Sequence, residues 1–221
     1  MKKFILPVLV SVGLCVSAAD KNKKQDKKET SKPIPMVIKN AGFQHAEANG
    51  SPQRKTWWKS WHVHDKTKPN AMKLQREGYK YITQKIVKVN PDDEKDKNLC
   101  AKIVTPLSIN EFRAPKGEPM VSNGFSQTIA IKGGGDYILT FDVKGKLYKS
   151  PGFNQFVVVT DFLGGDKKPW KCKKLGSTKA TKVPLSDKWQ NATVRLNAPE
   201  GTDFLSLYLK IYGCGEAYYD N

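Results

Sequence analysis

The sequence predicts an all-β protein built as an antiparallel β-sandwich. Apolar and polar residues alternate with a period of two over many short segments, as they do in strands that have one face in a core. Clusters of Gly, Pro, Asn and Asp separate these segments, and no stretch longer than two turns carries a helical stripe. The 221 residues, 38% of them hydrophobic, are enough for one sandwich of about eight to ten strands.

Residues 1–19 have the pattern of a bacterial-type signal peptide. Lys2 and Lys3 precede an apolar run from Phe4 to Val16, and small residues suited to cleavage follow. The run is too short to span a bilayer, so a secreted or periplasmic protein without a transmembrane segment is expected. Residues 20–35 are rich in lysine and predict a disordered linker, which leaves residues 36–221 for the sandwich domain.

The clearest strand runs from Asp203 to Tyr212. Leu205, Leu207, Leu209 and Ile211 fall on one face of it, which must be the core face. The other face carries Tyr208, Lys210 and Tyr212.

A second clear strand, from Asp136 to Lys144, follows three glycines and the apolar segment Phe125 to Ile131. The glycines at 133–135 predict a hairpin between these two segments. The residues of the second strand expected in the core are Tyr137, Leu139, Phe141 and Val143. Further strands are predicted over Trp57 to His64, Tyr79 to Val89, Leu99 to Val104, Asn154 to Phe162, Asn191 to Leu196 and Glu216 to Asp220.

The charge is strongly basic and comes almost wholly from lysine. There are 38 basic and 21 acidic residues, which gives +17. The only arginines are Arg54, Arg76, Arg113 and Arg195, whereas recognition of bases and phosphates favours the arginine fork. Nucleic acid is therefore not an expected partner, and the positive field favours acidic polysaccharides over neutral ones.

Reactive groups are scarce, so no catalytic residue is predicted. The sequence has three histidines and none of the common hydrolase, metalloprotease or phosphate-loop motifs. His62 and His64 form either a weak candidate metal pair or part of an amphipathic surface. After the signal, Cys100, Cys172 and Cys214 form one bridge with a spare thiol or serve as buried small side chains.

The aromatic residues are more informative than the histidines. A sugar ring presents an apolar face rimmed by hydroxyls, which suits flat aromatic rings flanked by hydrogen-bonding groups. The same residue types also seal the edges of sandwiches. The candidate carbohydrate-binding residues are Trp58, Trp61, Trp170, Tyr208, Lys210 and Tyr212, with lysines expected to contribute an attraction that salt screens.

The two ends of the domain resemble a known family. Asn40-Ala41-Gly42-Phe43-Gln44, followed by Trp57-Trp58, is similar to the start of the carbohydrate-binding modules grouped as families four, nine and twenty-two. The closing segment from Gly213 to Asn221, GCGEAYYDN, resembles their last strand. The resemblance extends over residues 37–221 and implies a galactose-binding-like jelly roll that binds glycans through aromatic residues.

The resemblance also implies a structural calcium ion where the first and last strands meet. Its ligands would be Gln44 and Asp220, with Asp96 as a further oxygen donor. Gln44 departs from the family, which has a carboxylate there, and this lowers the charge available to calcium.

We therefore expect a secreted, monomeric, non-catalytic module that binds a polysaccharide or oligosaccharide. The alternative is a cell-envelope or matrix domain that uses the same sandwich to contact protein. A third hypothesis is an accessory part of a glycoside hydrolase system.

Overall fold

The computed structural model describes residues 33–36, 57–64, 67, 70–112, 121–149 and 154–220. The signal peptide, most of the linker and Gln44 lie outside the described residues, and all described residues belong to one compact unit. The strands are β1 (Ile34–Pro35), β2 (Trp58–Val63), β3 (Thr83–Lys88), β4 (Leu99–Thr105), β5 (Val121–Ala130), β6 (Asp136–Leu147), β7 (Gln155–Gly164), β8 (Lys173–Ser177), β9 (Thr181–Val183), β10 (Gln190–Asn197), β11 (Phe204–Tyr212) and β12 (Gly215–Asp220). One α-helix, α1 (Ala71–Glu77), and 3-10 turns at Gly78–Lys80, Leu107–Phe112 and Pro169–Lys171 complete the described elements.

The strands form two sheets, which confirms the predicted β-sandwich of the jelly-roll type. The first sheet has the order β1-β6-β12-β4-β3, with β10 also paired to β6. The second has the order β2-β5-β11-β7-β8, with β9 also paired to β7. All pairs are antiparallel except β1 with β6. Ile34 and Pro35 thus stand in a strand, two residues before the expected start of the domain.

The core lies between the sheets and contains the apolar face predicted for β11. Leu205, Leu207 and Ile211 are fully buried, and Leu209 is nearly so. The predicted residues of β6 pack in the same cluster, which confirms both alternations. On its other face, flanked by side chains of β5 and β7, Ser206 and Lys210 are each only 9% exposed.

The predicted hairpin between β5 and β6 is wrong. β5 pairs with β2 and β11 in the second sheet, whereas β6 belongs to the first. The glycine segment 133–135 crosses between the sheets, and Gly134, with φ of 75°, donates its N–H to the carbonyl of Ala198 at 2.9 Å. Glycines mark a change of chain direction, but they do not determine which sheet the next strand joins. Phe125 and Phe141 both reach the core, from opposite sheets.

The other predicted strands are found with small shifts, and one is markedly shorter. The segment expected as a strand from Tyr79 becomes β3 only at Thr83, because α1 and a 3-10 turn occupy the preceding residues. The helix covers a second, smaller apolar cluster that consists of Val63, Ala71, Leu74, Ile109, Val121 and Cys214. Strands β8 and β9 were not predicted, because their lysine-rich sequences lack an apolar alternation.

Cys100, Cys172 and Cys214 form no disulfide with one another, so the predicted bridge is absent among them. Cys100 and Cys214 are buried small side chains, as the alternative prediction held. Cys172 donates from Sγ to the carbonyl of Asp166 at 3.1 Å.

Polar side chains link the two sheets beside β2 and β5. The Asn123 amide on β5 donates to the carbonyl of Val104 at 2.8 Å, across the sandwich. The Gln84 amide on β3 donates to the carbonyls of Ser60 and Gly124, at 2.8 and 3.0 Å. These bonds fix β2 and β5 over the first sheet, and both strands contribute to the site described next.

Candidate functional site

A cleft of about 580 Å³ lies on the outer face of the second sheet. Directly opposed residues of neighbouring antiparallel strands point to the same face, so the register brings β2, β5, β11 and β7 together there. We call this site the cleft. Its three register rows are Trp58, Ser126, Tyr208 and Val159; Ser60, Gly124, Lys210 and Val157; and His62, Ser122, Tyr212 and Gln155.

Lys210 lies at the centre of the cleft as a largely buried cation. Its Nζ is 4.3 Å from the centroid of the Tyr208 ring. Loss of hydration lowers the pKa of Lys210 to about 8, although the negative charge of Asp161 opposes the shift. Lys210 is therefore still mostly protonated at pH 7, and within the described part of the chain no carboxylate forms an ion pair with it.

Asp161 forms its ion pair with a different lysine. Its Oδ1 is 2.8 Å from the Nζ of Lys174 on β8 and accepts a hydrogen bond from Ser177 at 2.7 Å. The Asp161 carboxylate is thus held at the β8 side of the cleft, away from a direct contact with Lys210.

The other end of the cleft is formed by aromatic rings in edge-to-face contact. The His64 ring meets His62 edge-on at 4.8 Å and Tyr212 at 5.3 Å between centroids. Nε2 of His64 and Oγ of Ser122 form a hydrogen bond of 2.9 Å. Loss of hydration on burial, followed by the charges of His62 and Lys210, lowers the pKa of His64 to about 4, so its ring is neutral at pH 7.

The two tyrosines of the cleft keep their hydroxyl protons. Burial, with a smaller contribution from Asp161, raises the pKa of both Tyr208 and Tyr212. Each ring therefore offers an apolar surface together with a hydroxyl group that can donate and accept hydrogen bonds.

Four of the six predicted carbohydrate-binding residues line the cleft: Trp61, Tyr208, Lys210 and Tyr212. Trp58 does not line it, although it stands in the same register row as Tyr208 and has 61% of its surface exposed. Trp170, 78% exposed in the 3-10 turn after β7, does not line it.

Trp61 borders the cleft, but its ring lies on the core side of β2. It is opposed to Asn123 in the register and packs against the smaller apolar cluster. A Cβ placed on Gly78 would lie 2.6 Å from its ring. Trp58 and Trp61 are three residues apart on β2, so the alternation places their side chains on opposite faces of the strand.

Sequence reasoning missed the acidic side of the cleft. Asp161 and Lys174 are far from the aromatic motifs along the chain, and β8, which carries Lys174, was not predicted. The sequence predicts His62 and His64 as a metal pair or part of a surface, and both line the cleft. In the described part of the chain, no group of three or more His, Cys, Asp or Glu side chains is placed to hold a metal.

The predicted calcium ligands are only partly described. Asp220 is paired in the register with Asp142. Both carboxylate oxygens of Asp96 accept backbone N–H bonds, from Asn90 and Asn98, each at 2.9 Å. The described residues do not complete a calcium site by themselves, and Gln44 lies outside them, so calcium stays a prediction.

No family model matches the chain, and no curated protein matches it. Among solved structures, the enzymatically active domain of tailspike protein 4 from bacteriophage CBA120 superposes with a TM-score of 0.48 and 13% identity, over 83% of this chain and 21% of that one. TmCBM61, solved with β-1,4-galactotriose, superposes with a TM-score of 0.42 and 16% identity, over 83% of this chain and 92% of that one. A family 4 carbohydrate-binding module superposes with a TM-score of 0.39 and 15% identity, over 83% of this chain and 96% of that one. In fold, the chain is similar to carbohydrate-binding modules.

No described helix is long and apolar enough to cross a membrane.

Proposed function

We propose that this chain is a secreted, non-catalytic module that binds polysaccharide in the cleft of the second sheet. The observation that supports this most is the set of alternate residues on β11, where Lys210, with its ammonium over the Tyr208 ring, lines the cleft together with Tyr208 and Tyr212. Aromatic surfaces suit the C–H faces of sugar rings, and the polar groups between them suit the hydroxyls.

Lys210 favours an acidic sugar. A buried charge is unfavourable unless it is paired, and in the described chain this ammonium contacts a ring rather than a carboxylate. A carboxylate or sulfate of a bound sugar would supply the missing counter-charge. Lys174, whose side chain is 55% exposed, adds a longer-range attraction at the rim.

The acidic inventory of the cleft supports binding without hydrolysis. Glycosidases of the common types require two carboxyl groups that flank the scissile bond. The described residues that line the cleft include a single carboxylate, Asp161, which is engaged by Lys174 and Ser177. We therefore propose that any hydrolytic activity in the same system belongs to another protein.

The test is a glycan array of neutral and acidic polysaccharides at two ionic strengths, followed by titration of the glycan with the highest signal. Tyr212→Ala should weaken binding about tenfold or more at both ionic strengths, because apolar stacking is not screened. Lys174→Gln should weaken it mainly at low ionic strength, because this exposed charge is screened. Tyr79→Ala and Lys179→Gln, which remove exposed residues outside the cleft, are the matched controls.

Three outcomes would count against the proposal. Undiminished binding by the double variant of Tyr208→Ala and Tyr212→Ala, with the fold intact by circular dichroism, would place the glycan elsewhere. Absence of signal across the array would favour a protein-contacting domain. Release of sugar products from the polysaccharides would show that the chain is an enzyme.

A further inference from the structure

A second set of aromatic and basic side chains lies on the outer face of the first sheet. In the register, Tyr218 of β12 is opposed to Lys102 of β4 on one side and to Lys144 of β6 on the other. The Nζ atoms of these lysines lie 5.0 and 5.1 Å from the Tyr218 ring centroid. The Nζ of Lys144 is also 4.9 Å from the ring of Trp189. We call Lys102, Tyr218, Lys144 and Trp189 the lysine–aromatic row.

The rings of this row are engaged by the ammonium groups of the chain itself. An ammonium group about 5 Å from a ring centroid is attracted to the π face. A hydrogen bond to Tyr218 is the main cause that raises the pKa of Lys102. The row therefore presents fixed positive charges rather than open aromatic faces.

A pocket of about 420 Å³ adjoins the row. Four lysines line it, Lys88, Lys102, Lys144 and Lys146, against two acidic residues, Asp187 and Glu216, so its lining carries two net positive charges. Its apolar part is formed by Val87, Val89 and Pro91.

Gly145, which lines this pocket, lets β6 approach β12 closely. Its φ is 153°, and a Cβ there would lie 2.1 Å from the carbonyl oxygen of Glu216. Any other residue would be strained and would push β6 away from β12. The close approach of these two strands holds Lys144 and Tyr218 in their register.

We propose that this pocket and the lysine–aromatic row form a second glycan site, specific for polysaccharides that carry carboxylate or sulfate groups. The two ammonium groups beside Tyr218 repel each other, and an anionic group near both would offset that repulsion. The apolar wall suits the C–H surface of a sugar ring beside the charged group.

The described lining favours a polysaccharide over single-stranded nucleic acid. Base binding relies on open aromatic faces, whereas Tyr218 is flanked by lysines on both neighbouring strands. No arginine lines the described pocket, and bidentate phosphate recognition depends on arginine. This site does not depend on the cleft, because it lies on the other sheet.

The test measures binding of a short galacturonate oligosaccharide to the full chain by calorimetry at low ionic strength. Wild type should bind it at the second site as well as in the cleft. The double variant of Lys102→Gln and Lys144→Gln should lose one of the two binding events, or weaken it about tenfold, since each charge contributes only modestly. The double variant of Lys167→Gln and Lys179→Gln removes the same charge away from both sites and should bind as wild type.

The cleft variants separate this inference from the proposed function. If the double variant of Tyr208→Ala and Tyr212→Ala keeps all binding while the Lys102 and Lys144 variant loses it, the second site stands and the cleft fails. If the Lys102 and Lys144 variant binds as the lysine control does, with both folded by circular dichroism, the second site is wrong. Tighter binding of polyuridylate than of galacturonate through these two lysines would also overturn it, in favour of nucleic acid.

Discussion

At the scale of single residues, Lys210 shows how a proposed binding residue opposes stability. Lys210 is only 9% exposed and its Nζ lies over the Tyr208 ring, so its ammonium has lost most of its water. The lowered pKa of about 8 means that the fold favours the neutral amine. The proposed binding of an acidic sugar would give this charge a partner.

Lys210→Met is expected to stabilise the protein and to weaken binding of acidic glycans. A lysine whose pKa falls from 10.5 to about 8 on folding destabilises the fold fully below about pH 8. That penalty disappears as the pH rises past the pKa of the unfolded chain. At pH 7, denaturant melts should show a gain of up to about 3 kcal/mol in the free energy of unfolding.

The gain for Lys210→Met should shrink above pH 8. Lys174→Met, at an exposed position, is the control and should change stability little. Equal stability of wild type and Lys210→Met at pH 7 would show that the ammonium group is not desolvated.

At the scale of elements, β11 is the strand on which both the core and the cleft depend. It pairs with β5 and β7 along its whole length, so its two faces meet different environments. One face fills the core with leucine and isoleucine, and the other carries the cleft residues. A shift of one residue in register would exchange the two sets, which is why the alternation is so strict.

Leu207→Ala should cost about 2 to 5 kcal/mol in the free energy of unfolding, because it removes a fully buried side chain and leaves a cavity. Leu175→Ala is the matched control, since Leu175 on β8 is 46% exposed and should change stability by no more than about 0.5 kcal/mol. A cost below that of the control would contradict the central place of β11 in the core.

At the scale of the whole molecule, the sandwich carries two candidate sites on opposite sheets. The cleft has its cation buried beside an aromatic ring, whereas the first sheet has partly exposed lysines around Tyr218. Since salt screens exposed charges more than buried ones, the two sites should respond differently to ionic strength.

Calcium is a further prediction at this scale. Calcium chloride added to chelator-treated protein should raise the melting temperature, because an ion that binds only the folded state stabilises it. Asp220→Asn should abolish the rise, and Asp92→Asn, which changes an acidic residue in an exposed loop, should leave it intact. An unchanged melting temperature in wild type would contradict the prediction that this protein binds calcium.

The sequence alone determined the fold class and most strands, because alternation reports directly which side chains leave the core. It identified Tyr208, Lys210 and Tyr212 as one outward set, since they share a strand. The tertiary structure alone decided how the strands are distributed. It separated β5 from β6, turned Trp61 towards α1, and brought Asp161 and Lys174 to the cleft. It also placed lysines of two strands, β4 and β6, around Tyr218 on β12. The reason is that alternation is a local property of one strand, whereas sheet membership and cross-strand neighbours depend on contacts between distant parts of the chain.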